Sequence, residues 1–74
     1  MEIKTDSSDQ SYIEAEMMGD ERVRITLIED SWAETPGVRI QVRQSGGHLM
    51  QGPEIPVTAI GNVVAAVVEL VRQR

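Results

Sequence analysis

The sequence predicts one α+β domain: a four-stranded antiparallel sheet in β-β-β-β-α order, with one C-terminal amphipathic helix packed on one face. Two patterns predict this class. Much of the chain before residue 52 alternates apolar and polar residues, as strands with one buried face do. The C-terminal part instead spaces apolar residues three and four apart, as amphipathic helices do. At 74 residues the chain is long enough for one domain only.

The chain divides into a loose N-terminal arm, residues 1–10, and a single domain, residues 11–74. Residues 5–10 are polar and contain no apolar anchor, so we expect little fixed structure there. The segment around Ile3 leaves a second interpretation open, in which the arm supplies an edge strand.

Residues 11–18 and 22–29 are predicted to form a hairpin around a turn at Gly19. Each segment alternates, and the two apolar sets must lie on one face of the sheet, which we expect to be buried. The inward-facing residues are Ile13, Ala15, Met17, Val23, Ile25 and Leu27.

The shared apolar face limits the register of this hairpin, because the numbers of paired residues must have an even sum. A sum of 38 places Glu16 opposite Arg22 and Glu14 opposite Arg24, whereas a sum of 40 places Glu16 opposite Arg24. Both registers pair opposite charges on the outer face, and each pair contributes a few tenths of a kcal/mol.

The third and fourth strands are predicted at residues 38–43 and at about residues 49–51. A loop that ends in a Pro-Gly turn precedes the third strand, and a glycine-rich turn separates the two. Proline has no N–H group to donate, so Pro53 interrupts the fourth strand and assigns this stretch to an edge or a bulge.

The helix is predicted at residues 58–72, with Thr58 as the N-cap. Its main apolar stripe spans about 140° of the helix circumference, and small neighbours widen the apolar arc to about 200°. One sheet covers only part of that arc, so we expect the remaining strip to pack against a second copy of the chain. The main stripe is Ile60, Val63, Val64, Val67, Val68 and Val71. The predicted dimer interface is Ala59, Val63, Ala66 and Leu70.

Composition argues against catalysis. The chain has no cysteine and a single histidine, so no thiolate metal site and no nucleophile–base pair is apparent, and we expect neither an enzyme nor a cofactor. The N-terminus has no apolar signal segment and no apolar run is long enough to span a membrane, so we expect a cytoplasmic protein without membrane contact.

Two further features bear on partners. Trp32 lies in the long loop and is either a plug over the core or an anchor for another protein. The outer face of the predicted sheet combines basic side chains with one aromatic, a combination that binds single-stranded nucleic acid. The residues of this candidate nucleic-acid face are Tyr12, Arg22, Arg24, Arg39 and Arg43.

The order of four strands and a helix, with a Gly-Gly turn and then Gly52-Pro53-Glu54-Ile55-Pro56-Val57-Thr58 leading into the helix, resembles a known family. It is similar to the single-stranded-DNA-binding transcriptional coactivators of the positive-cofactor-four type, over about residues 11–72. The resemblance implies a curved sheet, a dimer formed through the C-terminal helices, and single-stranded DNA as ligand.

These observations leave two ranked hypotheses. The first is a small non-enzymatic homo-oligomeric interaction or regulatory module, with a second copy of itself as the expected partner and another protein as a further option. The alternative is a single-stranded nucleic-acid-binding protein. The formal net charge of −5 and the scarcity of aromatic residues rank the first above the second, because an acidic chain repels a phosphate backbone.

Overall fold

A computed structural model describes residues 1–30 and 34–74. An antiparallel sheet with strand order β1-β2-β3-β4-β5 precedes one helix, so the predicted α+β class is confirmed. The elements are β1 Lys4–Thr5, β2 Ser11–Glu16, β3 Arg22–Ile28, β4 Gly37–Arg43, β5 Leu49–Pro56 and α1 Val57–Arg72.

The sheet has five strands, so the prediction of four was wrong. The additional strand is β1, which pairs Lys4 with Tyr12 and Thr5 with Ser11. The polar segment between β1 and β2 is a closed turn, because the Asp6 carboxylate accepts hydrogen bonds from the backbone N–H groups of Ser8 and Gln10, both at 2.9 Å. This turn holds the start of the chain against β2.

The register of the β2–β3 hairpin is the first of the two predicted alternatives. Glu14 pairs with Arg24 and Glu16 with Arg22, so the residue numbers sum to 38. The apolar residues therefore share one face, and the charged residues share the other.

Strand β5 is an edge strand with an irregularity opposite Ile40, as the position of Pro53 predicted. The strand nevertheless continues through residues 52 and 53 to Pro56, beyond the predicted end at residue 51. Gly52 permits this, because its backbone lies against the Ile40 carbonyl group and a β-carbon at Gly52 would overlap the Ile40 oxygen.

Gly52→Ala is therefore expected to lower the free energy of unfolding by about 1–3 kcal/mol, the usual cost of forcing atoms into a filled space. The matched control is Gly61→Ala in the helix, where an added β-carbon meets nothing within 4 Å. Alanine should stabilise that position by about 0.5–1 kcal/mol. Urea denaturation measures both, and a Gly52→Ala protein with wild-type stability would contradict this description of the bulge.

The helix begins at Val57, one residue before the predicted start, and Pro56 occupies the N-cap position without a side-chain hydrogen bond. The predicted N-cap at Thr58 was therefore wrong. Strand β5 ends at Pro56, so no connecting residue separates strand from helix. The Val57 N–H donates to the Pro36 carbonyl at 2.9 Å and fixes this junction.

The predicted packing of the helix on one face of the sheet was also wrong. None of the helical residues is buried, and only its first turn, at Ala59 and Ile60, is even half-buried. The missing linker explains the difference, since a helix that continues directly from a strand has no loop with which to reverse over its own sheet.

The interior of the described chain is correspondingly small. Ile28 is the single buried apolar residue in residues 1–30 and 34–74, and Thr26 and Gln41 are the buried polar ones. All three lie on or beside the charged face, whereas Ile25 and Leu27 on the apolar face are each 39% exposed. The two predicted apolar sets do share a face, but that face is not buried in the single chain.

Candidate functional site

Three surfaces could serve a function, and the first is the polar face of the sheet. Strand pairing aligns Tyr12, Thr26, Arg39 and Glu54 in one row across four strands. It also places Arg22 beside Arg43, and Arg24 in the row between, so all five residues of the predicted nucleic-acid face lie together. The polar face is defined here as Tyr12, Glu14, Arg22, Arg24, Arg39, Gln41, Arg43 and Glu54.

Carboxylates occupy most of the arginines on the polar face. Glu14 Oε2 lies 3.0 Å from Arg24 Nη2 and 3.3 Å from Arg43 Nε, and it joins three strands. Glu54 Oε2 accepts hydrogen bonds from Arg39 Nε at 3.1 Å and Nη2 at 2.9 Å. These are charge-assisted hydrogen bonds, the stronger kind.

The remaining polar groups of this face also have partners. The Arg24 guanidinium lies 4.2 Å from the centre of the Tyr12 ring, within cation–π distance. Gln41 donates to Gln51 at 3.1 Å, and Arg22 donates to the Glu21 carbonyl at 3.2 Å. The Tyr12 ring therefore stacks against Arg24 of its own chain. A nucleic-acid base would need the same ring face for stacking.

The ion pairs shift the pKa of the Glu14 carboxyl. Partial burial acts to raise the pKa of this carboxyl, but hydrogen bonds from Arg24 and Arg43 outweigh it, so the pKa lies below its ordinary value of 4.5. A lowered pKa in the folded state stabilises the fold above the unfolded value. That contribution is lost as the pH falls through the lowered pKa.

The second surface is the apolar face of the sheet, defined here as Ile13, Val23, Ile25, Leu27, Val38, Ile40 and Val42. It is free of charged residues, and it contains a pocket of about 210 Å³ towards β1. The pocket is lined almost entirely by carbon, from Ile3, Tyr12, Ile13, Ile25, Leu27 and Val38 together with Ser11.

The third surface is the helix, whose apolar stripe is exposed along its whole length after the first turn. Leu70 is 73% exposed and Val67 is 56% exposed. The predicted interface residues Ala59, Val63 and Ala66 lie in the same apolar arc, and none of them is buried. An uncovered stripe of this kind is costly in water.

The two open apolar surfaces give the chain a larger exposed area and a larger radius of gyration than a compact monomer would have. It exposes 5703 Å², whereas a compact monomer of the same mass would expose roughly 4,500 Å². Its radius of gyration is 13.3 Å, against about 11 Å expected for a compact chain of this length. The excess of about 1,200 Å² exceeds the roughly 800 Å² that each partner contributes to a standard interface.

The other candidate features are His48, Trp32, a metal site and a membrane-spanning helix. His48 is exposed in the turn between β4 and β5, where its carbonyl accepts from the Gln44 N–H. Trp32 lies outside the described residues, so its prediction stays open. No group of three potential metal-ligating side chains occurs in the part of the chain that the structure describes. In the same residues, no helix has the length and apolar character needed to cross a bilayer.

Comparisons with protein-family models, with curated proteins and with solved structures find no match to this chain. The resemblance at the sheet-to-helix junction therefore stays a prediction. The function must be inferred from the three surfaces themselves.

Proposed function

We propose that this chain is a non-enzymatic, cytoplasmic interaction module that works as a homodimer. The observation that carries the proposal is the helix without a single buried residue. The helix strip of Ala59, Val63, Ala66 and Leu70 forms the core of the interface. The polar face stays in water on the outside of the dimer.

The low intrinsic stability of the helix supports the proposal that a partner covers it. An isolated helix of this length is marginal in water, and most helices in proteins are stabilised by packing of their apolar face. The valines and Gly61 lower the helix propensity further. A helix with these residues needs a covering surface, and its own sheet does not supply one.

The sheet edges favour association through faces over association through strand pairing. One edge strand, β1, is only two residues long, and the other, β5, contains Pro53 and the bulge at Gly52. Short edges, prolines and bulges prevent a second strand from adding to a sheet. Partners therefore meet this chain through its apolar surfaces.

A dilution series tests this proposal. Far-ultraviolet circular dichroism should lose helical signal between high micromolar and nanomolar chain concentration, because dissociation uncovers the helix and lets it unfold. The apparent melting temperature should fall over the same range. Helical signal and melting temperature that do not change with concentration would contradict the proposal.

Single-stranded nucleic-acid binding is the alternative function, and the grouping of Arg22, Arg24, Arg39 and Arg43 on one face favours it. Ion pairs to Glu14 and Glu54 weaken it, because three of these arginines would have to give up a carboxylate to hold a phosphate. We therefore expect no measurable binding of a single-stranded oligonucleotide at physiological salt.

Freeing the arginines is expected to create such binding. The double variant Glu14→Gln with Glu54→Gln should bind the oligonucleotide at low salt, with an affinity that falls steeply as salt rises. The control, Glu34→Gln with Glu69→Gln, changes the net charge equally at two exposed residues outside the sheet, so it should not bind. A sub-micromolar dissociation constant for the wild-type protein at physiological salt would promote the alternative function instead.

A further inference from the structure

We infer that the two chains of the dimer exchange their helices, so that the helix of each copy crosses the apolar face of its partner's sheet. This inference rests on the proposed dimer and specifies its architecture. It assigns an occupant, a second copy of this chain, to the apolar face and to the pocket of about 210 Å³ within it.

The first step is the area that a simpler dimer leaves open. Contact through Ala59, Val63, Ala66 and Leu70 alone uses one side of the helical arc. The other side, centred about 100° away, carries Ile60, Val64, Val67 and Val71. That side and the apolar face of the sheet would both stay in water. A dimer with four such uncovered surfaces would keep most of the excess area of each chain.

The second step is the fit between these surfaces. The helix has 16 residues and is about 24 Å long, while β3 and β4 have seven residues each and span about 23 Å. The apolar face has no charge, and Glu69 is the only charged residue of the helix before Arg72. No charge would therefore be buried without a partner.

The third step excludes the chain's own helix as the occupant. Strand β5 runs into the helix at Pro56–Val57 without a linker, and the Val57 N–H is held by the Pro36 carbonyl. The helix therefore leaves its own sheet uncovered, and an identical chain offers the same helix and the same open face. A two-fold axis satisfies both chains at once.

Cross-linking between two variants tests this architecture. The natural chain contains no cysteine, so only the introduced cysteines can react. Ile25→Cys and Val67→Cys proteins are purified separately, mixed, allowed to exchange subunits and treated with a short bis-maleimide. We expect a covalent dimer that contains one chain of each variant. The control mixture of Met18→Cys with Val67→Cys, which replaces an exposed turn residue, should stay uncoupled.

The Ala66→Cys variant separates this inference from the proposed function. If it couples to itself while the Ile25→Cys and Val67→Cys mixture does not, the helices pair but do not exchange, and the inference is overturned. An intrachain link in the double variant Ile25→Cys/Val67→Cys at monomer mass would overturn it as well. If no mixture couples and the chain stays at 8.2 kDa, both the dimer and the exchange are wrong.

Discussion

Ala66→Glu is expected to turn the dimer into a monomer. Ala66 lies in the middle of the helix strip, where its methyl group allows two helix backbones to approach. Two glutamates at that place would bury charges without partners, which costs about 3–5 kcal/mol. The dissociation constant should therefore rise by roughly 100-fold or more.

The neighbouring alanine provides the matched control. Ala65 lies about 100° from Ala66 around the helix and about 160° from Val63, on the side of Thr58 and Glu69. Ala65→Glu adds the same charge to the same helix, yet it should leave association unchanged. Sedimentation velocity compares the two variants, and equal effects of both would mean that the strip is not the interface.

Ile25→Asp is expected to abolish the cooperative thermal transition. Ile25 is paired with Ile13 and Ile40 at the centre of the apolar face. In the proposed dimer the partner's helix covers this face. An aspartate there would be buried without a partner beneath the helix, so we expect the helix to leave the face and both apolar surfaces to return to water. The chain cannot absorb that loss, because Ile28 is the one buried apolar residue in its described part.

Met18→Asp is the control for this variant. Met18 is 84% exposed in the turn between β2 and β3 and lies off the apolar face. The same change in charge should therefore alter the free energy of unfolding by no more than about 0.5 kcal/mol. If Ile25→Asp melts cooperatively near the wild-type temperature, the apolar face is not covered in solution.

The sequence predicted the hairpin and the strand faces well, because local alternation and turn residues determine them. The pairing of Glu14 with Arg24 was one of the two alternatives that the predicted register left open. The pairing of Arg39 with Glu54 was not predicted, since it depends on the bulge at Gly52, which shifts the register between β4 and β5. A glutamate directly after a strand proline was the signal that could have indicated this ion pair.

Two features, strand β1 and the packing of the helix, could not be predicted from the alternation of apolar and polar residues. The polar segment after strand β1 contains no apolar anchor and so predicts little structure, although Asp6 closes that segment by accepting backbone hydrogen bonds. The helix position was predicted to within one residue, but the predicted packing of the helix on its own sheet was wrong. An amphipathic stripe predicts a covered helix, but it does not identify the covering surface, and the direct junction at Pro56–Val57 leaves the helix off its own sheet.

The ion pairs distinguish the polar face of the sheet from its apolar face. Glu14 and Glu54 pair with three arginines on β3 and β4, so most of the positive charge on the polar face is neutralised within the chain. The apolar side is left with no ligand except another apolar surface. In the proposed dimer, association through that side leaves the polar face available to other proteins.

Sedimentation equilibrium of the wild-type chain tests the central claim most directly. The monomer has a mass of 8.2 kDa, and the account predicts twice that mass at high micromolar concentration, with dissociation on dilution. The measured mass should not change when salt is raised, because apolar contacts are not screened. A protein that keeps the mass of one chain throughout the high micromolar range would contradict the account.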